Sequence, residues 1–212
     1  MMFQGLALAG LIAQCAPSVA PSTMAAIVQV ESSGNPLAID DDTTRRSYYP
    51  RDRASAEALA NGLIEAGHTL DVGIAQVDSA NFAHLGVNVH TAFDACTNLR
   101  AGSAILSAAY GFAERRYGGG QIALRHAIGM YNTGRLDGGT GYVQQVLSAA
   151  GIRELYDAAS RTDAQREAMR SPVLVRVPVA SHSALRVTRK VVTPSRAPIL
   201  ITVASTSNLT VF

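Results

Sequence analysis

Among the acids of this chain, Glu31 stands where a carboxyl is least at home. It follows the run Met24-Ala25-Ala26-Ile27-Val28-Gln29-Val30 and precedes Ser32-Ser33-Gly34-Asn35-Pro36. Pro21 suits the first position of a helix, and Gly34 with Pro36 supplies the stop. Met24, Ile27 and Val28 recur at helical spacing, and Glu31 is the next position on that face. Desolvation there penalises the charged form, and the negative potential of a helix C-terminus pushes the same way. The carboxyl is therefore expected to hold a proton near neutral pH, which is the preparation a general acid needs. The other reading is a Glu31 turned outward at a frayed helix end and merely solvated.

Two further stretches carry polar groups in suggestive order. Leu70-Asp71-Val72-Gly73-Ile74-Ala75-Gln76-Val77 reads as a short extended piece passing a tight place at Gly73. Met130-Tyr131-Asn132-Thr133-Gly134 closes a compact helix. Asp71 by itself reads as an aspartate bonded to nearby backbone in a turn. Asp40, Asp41 and Asp42 lack EF-hand spacing, so a solvated turn is expected there and not calcium. Cys15 and Cys96 match no metal spacing; they are either a long-range disulfide or two buried thiols. His68, His84, His90, His126 and His182 form no metal or triad pattern and are read as surface or core histidines. No metal and no cofactor are expected.

The elements that must position these groups are mostly helices. Residues 1–14 are apolar but too short to span a bilayer, and no basic residue precedes Arg45. They predict a short first helix packed on the domain, with a cryptic export signal as the alternative. Residues 39–50 read as an irregular loop or small hairpin. Asp52 caps a helix over 53–66 with the stripe Ala56, Leu59, Leu63 and Ile64, ended by Gly67. Asp94 starts a long helix to about residue 116, with Leu99, Ile105, Leu106 and Tyr110 inward and Gly118-Gly119-Gly120 closing it. Helices over 121–131, 140–150 and 152–169 complete a domain of residues 1–170.

Composition changes at Ser171-Pro172. Residues 171–212 hold five cations and no acid, a charge of +5, which leaves −3 for residues 1–170. Alternation such as Val173-Leu174-Val175-Arg176-Val177, broken by Pro172, Pro178, Pro194 and Pro198, reads as an extended or disordered tail. The net charge of +2 gives no case for nucleic acid, and no stretch reaches the length of a membrane span.

Glu31-Ser32, Gly73-Ile74-Ala75-Gln76 and Tyr131-Asn132-Thr133-Gly134 together resemble the E-S, G-x-x-Q and Y-N-x-G motifs of soluble lytic transglycosylases of the goose-lysozyme-like superfamily. With Cys15-Ala16-Pro17, Pro21-Ser22-Thr23-Met24, Glu31 to Pro36 and Cys96-Thr97-Asn98-Leu99-Arg100-Ala101-Gly102, the chain over residues 12–150 is most similar to the VirB1-like peptidoglycanases of type IV secretion and conjugation systems. The resemblance implies a mainly α, lysozyme-like fold. Its two lobes would flank a cleft lined by Glu31, the 71–77 segment and Tyr131, with a small β or irregular segment and an extended C-terminal tail. It implies Glu31 as the catalytic acid/base cleaving the β-1,4 bond between N-acetylmuramic acid and N-acetylglucosamine to a 1,6-anhydro product. Tyr131 would face the glutamate and orient it, with Asn132 as its cleft-side neighbour. Gln76 would contact sugar, Gly73 would let ligand approach the backbone, and Ser32 would support the helix end. It also implies a Cys15–Cys96 disulfide tying the first helix to the long one.

Asp71-Val72-Gly73-Ile74-Ala75-Gln76 departs from many soluble transglycosylases toward the D-x-G-x-x-Q of animal-type lysozymes. That likeness implies Asp71 as a second carboxylate that either stabilises positive charge at the anomeric carbon or permits a hydrolytic route, beside the plain reading of a turn aspartate. A glycan-binding subunit without turnover is a third reading. Peptidoglycan glycan strands are the expected partner, with secretion components as a partner for the basic tail, and the periplasm is the expected location.

Overall fold

The computed structural model describes residues 2–152 together with the short strands 185–187 and 201–203. The helix expected over 152–169 and most of the tail lie outside the described residues. Helix α1 spans Gly5–Cys15 and buries Leu8, Ile12 and Cys15. Helix α2 spans Pro21–Ser32 with Pro21 in its first turn; it buries Met24, Ile27 and Val28 and ends where Ser33 turns left-handed. Gly34, also left-handed, accepts a hydrogen bond from Phe3 N–H at 2.8 Å. A Cβ on Gly34 would meet Phe3 O at 2.1 Å, so this glycine serves close packing as well as the helix stop.

The 39–50 segment is a hairpin. Strand β1 (Ile39–Asp41) pairs antiparallel with β2 (Arg46–Tyr48), Ile39 opposite Tyr48. After α3 (Arg53–Glu65), β3 (Leu70–Val72) and β4 (Val77–Asp78) join them in the order β2-β1-β3-β4. Asp52 caps α3, accepting from Ser55 N–H at 2.8 Å. Of the stripe expected on α3, Ala56 is buried while Leu59, Leu63 and Ile64 are only partly so.

The solvated turn expected at residues 40–42 is corrected. Asp41 is 1% exposed. Its carboxylate accepts from Thr43 N–H, Thr44 N–H and the Thr44 hydroxyl and pairs with His68 at 2.8 Å. Burial works against its charge, but the bonds from Thr44, His68 and Thr43 outweigh burial and hold the carboxyl below its ordinary range.

Two short helices, α4 (Phe82–Leu85) and α5 (Val89–Ala92), lead into α6, Ala95–Tyr117, capped by Asp94. Helix α6 buries Leu99, Ile105, Leu106 and Tyr110, the four residues expected inward. Helix α7 (Gln121–Thr133) packs along it, and α8 (Thr140–Ala149) crosses α2. Thus Tyr131 and Asn132 lie inside α7, whose closure comes at left-handed Gly134. Strands β5 (Leu185–Val187) and β6 (Ile201–Val203) pair antiparallel as a separate two-stranded sheet. Among the described residues, no helix is long and apolar enough to cross a membrane.

Cys15 at the end of α1 is bonded to Cys96 in the first turn of α6, with Cα atoms 5.1 Å apart. The bond closes a sequence separation of 81, so in the chain-entropy account it stabilises by about 4–5 kcal/mol. Replacing both cysteines by serine should lower the melting temperature by on the order of 10 °C. Thermal melts of the variant and of reduced wild type check this, and an unchanged melt would count against it.

A second prediction concerns the sheet. Asp71 stands opposite Asp78 across β3 and β4, and oxygens of Asp42, Asp71 and Asp78 lie within 4.8 Å of one another. Burial pushes the Asp78 carboxyl up to about 6; the Ala80 N–H opposes this, and the charge of Asp42 adds to it. The folded state then binds this proton more tightly than the unfolded chain does. Stability contributed by the proton is complete below about pH 4 and falls as pH rises to about 6, a loss of about 2–3 kcal/mol. Asp78→Asn should therefore melt higher than wild type at pH 7.5, the gap closing by about pH 4. Parallel pH profiles for the two proteins would contradict this assignment.

Candidate active site

Strands β3 and β4 are joined by Gly73-Ile74-Ala75-Gln76, so the G-x-x-Q stretch is a hairpin tip, closed by Gln76 N–H donating to Gly73 O at 3.2 Å. Gly73 and Gln76 both take left-handed backbone, at φ +82 and +47. Hairpin tips ordinarily meet solvent. Here Ile74 and Ala75 are fully buried, so the backbone groups between them need partners inside the protein. Side chains from distant segments supply these. Ser32 Oγ donates to Ile74 O at 2.7 Å and accepts from Gly34 N–H at 3.1 Å. The Tyr131 hydroxyl donates to Ala75 O at 2.6 Å. Gln76 Nε2 donates to Gly73 O at 2.7 Å and to Ala38 O at 3.2 Å. The three motifs, far apart in the chain, thus meet on one turn.

Glu31 occupies the last turn of α2, half-buried. The phenol that bonds it is not the expected one. Tyr142, on α8, donates its hydroxyl to Glu31 Oε1 at 2.5 Å, within the range for O–H bonded to a carboxylate. Tyr131, 8% exposed, spends its proton on Ala75 O instead. Burial, then the charges of Glu31 and Asp71, push the Tyr131 phenol up, so it is a neutral donor.

Asp71 lies in the middle of β3, not in a turn, and is 7% exposed. The room at Gly73 is used by protein: an added Cβ would meet Asn98 Nδ2 at 2.3 Å and Ala92 O at 2.7 Å. The close approach expected there for ligand is thus made by Asn98. Gln76 turns its amide nitrogen inward, and its buried Oε1 has no hydrogen-bond partner among the described residues. Asn132 follows Tyr131 on α7, half-buried.

The reading of the residues missed Tyr142. On its own helix it shares the buried face with Val146, which is the spacing of an ordinary core aromatic. Only the packing of α8 on α2 brings its polar tip to an acid 111 residues away.

Residues 11–153 match the family model of the transglycosylase SLT domain. Over 145 residues the chain is 43% identical to the protein virB1 of Agrobacterium fabrum, an alignment covering 65% of this chain and 56% of that relative. It is 37% identical over 187 residues to the type IV secretion system protein virB1 of Brucella abortus, covering 82% of this chain and 79% of the relative. The chain therefore spans a little over half the length of the Agrobacterium relative. No solved structure matches. The matched region contains Glu31, the β3–β4 turn, Tyr131 and Tyr142, and on that match the chain belongs to the transglycosylase SLT domain family.

Proposed function

We propose that this protein is a peptidoglycan lytic transglycosylase in which Glu31 is the single acid/base. The observation that carries this reading is the half-buried Glu31 carboxyl, held by Tyr142 at 2.5 Å beside a turn that collects all three family motifs. Glu31 protonates the oxygen of the β-1,4 bond between N-acetylmuramic acid and N-acetylglucosamine as the bond to the anomeric carbon breaks. The carboxylate so formed then takes the proton from the muramyl 6-hydroxyl, which closes onto the same anomeric carbon. The product is a 1,6-anhydro sugar, the glutamic acid is regenerated, and no water is consumed. Such chemistry asks for one positioned carboxyl and an oriented sugar. Tyr142 fixes the rotation of the carboxyl, and Tyr131 and Ser32 hold the turn. Gln76 and Asn132 are the proposed sugar contacts, although the Gln76 amide is buried, its nitrogen bonded to Gly73 O and Ala38 O and its Oε1 without a hydrogen-bond partner among the described residues.

Hydrolysis with Asp71 as second carboxylate is favoured by one observation, that Asp71 lies on β3, the strand that runs directly into the Gly73–Gln76 turn. Against it, Asp71 is buried, with its carboxyl grouped with those of Asp42 and Asp78. The name of the Brucella relative, a type IV secretion system protein, supports a link to such an apparatus, for which this enzyme opens the wall in this reading. A periplasmic location follows from that substrate and agrees with the disulfide. The basic tail, residues 171–212, docks on a secretion component in this reading; its deletion with unchanged partner pull-down would remove that role.

Mass spectrometry of muropeptides released from sacculi should show anhydro ends; reducing ends would assign the hydrolytic route. Glu31→Gln should lower turnover about 10²–10⁴-fold with the fold intact. Wild-type clearance by that variant would remove Glu31 from the mechanism. Tyr142→Phe should fold normally and lose roughly tenfold in kcat, whereas unchanged kcat would show that the phenol does not orient the acid.

A further inference from the structure

One side chain reaches the buried β3–β4 turn from α6 and belongs to none of the three motifs. Asn98 is completely buried. Its Oδ1 accepts from Ala75 N–H at 2.8 Å, and its Nδ2 donates to Val72 O and to Ala92 O, both at 2.9 Å. One N–H and two carbonyls fix the orientation of the amide without ambiguity and use every hydrogen it has. Asn98 thus grips the turn at both ends, through Val72 before Gly73 and through Ala75 after it. Gly73 has no side chain where this amide lies.

Gly102 stands one helical turn further along α6, on the same face. A glycine in mid-helix is locally unfavourable. Here it leaves room that nothing larger would: a Cβ would meet Ala75 Cβ at 2.8 Å, the Tyr131 hydroxyl at 2.9 Å and Met24 Cε at 3.3 Å. These are the turn residue that Asn98 holds, the phenol that bonds its carbonyl, and a core residue of the helix that carries Glu31.

We infer that the Asn98/Gly102 pair of α6 is a positioning element for the reaction, a seat that sets the Gly73–Gln76 turn against Tyr131 and the Glu31 helix. The inference rests on the reading of Glu31 and Gln76 as the active site. Neither residue touches sugar; both act through the turn. A displacement of the turn by a few tenths of an ångström moves the Gln76 backbone and the Tyr131 hydroxyl together, and catalysis is sensitive to misplacement on that scale.

The test uses the full chain, with soluble glycan strands as substrate and circular dichroism melts to establish the folded fraction. Gly102→Ala and Asn98→Asp, assayed where both are folded, should each lose about tenfold or more in kcat with apparent KM changed less than about threefold. Asn98→Asp keeps the shape of the side chain but sets a carboxyl oxygen against the Val72 and Ala92 carbonyls. Adding Ala75→Gly to Gly102→Ala removes the closest clash and should restore at least about threefold of the lost kcat. If one single variant does not fold, the other decides the matter; if neither folds, the double variant does, a loss of about twofold or more in kcat per folded molecule supporting the seat and a smaller loss overturning it. Folded seat variants turning over within about twofold of wild type, beside an inactive Glu31→Gln, would overturn this inference alone. An active Glu31→Gln would overturn the underlying site reading and the seat with it.

Discussion

The structure depends on a four-residue turn placed where water does not reach. A buried peptide group without a partner costs free energy comparable to a lost hydrogen bond. Ile74 and Ala75, both fully buried, could not sit in the core unless other segments brought donors and acceptors to them. Ser32 from the end of α2, Tyr131 from α7, Asn98 from α6 and Gln76 from the turn itself do this at 2.6 to 2.8 Å. The same bonds that make the turn tolerable fix the end of the Glu31 helix relative to it.

That constraint gives the surrounding fold its purpose. Helix α6 is long and buried along much of its length, and it is joined to α1 through Cys15–Cys96. The disulfide lies two residues before Asn98, so the covalent tie and the seat of the turn share one helical turn. Phe3 in turn bonds Gly34 just past α2. The acid is therefore carried on a helix whose exit is pinned on one side by the N-terminal segment and on the other by Ser32 and the hairpin tip.

Electrostatically, the site divides its acids. Glu31 is half-buried with a phenol on it. Asp42, Asp71 and Asp78 are grouped at the sheet, where burial, with the charge of Asp42 added, holds the Asp78 carboxyl up at about 6. Tyr131 feels both Glu31 and Asp71 and stays a neutral donor. The two tyrosines thus split a task that one was expected to perform: Tyr131 ties the turn, and Tyr142 holds the acid.

Local rules were sufficient for much of this. Periodicity and caps determined α2, α3 and α6, because Pro21, Asp52 and Asp94 start helices and Gly34 and Gly67 stop them by chemistry that acts over a few residues. The order of Glu31-Ser32, Gly73 to Gln76 and Tyr131 to Gly134 pointed to the family for the same reason, since a motif is local by construction. Tertiary structure decided what those residues touch. Asp41 looked like part of a solvated turn until His68 and Thr44 closed on it. Gly73 was read as room for a ligand, yet Asn98 fills that room. Tyr142 carried no mark of function, because its partner is 111 residues away and the contact exists only once α8 packs on α2. Spacing along a chain specifies which face a residue occupies; the group that face meets depends on how the helices and the sheet pack together.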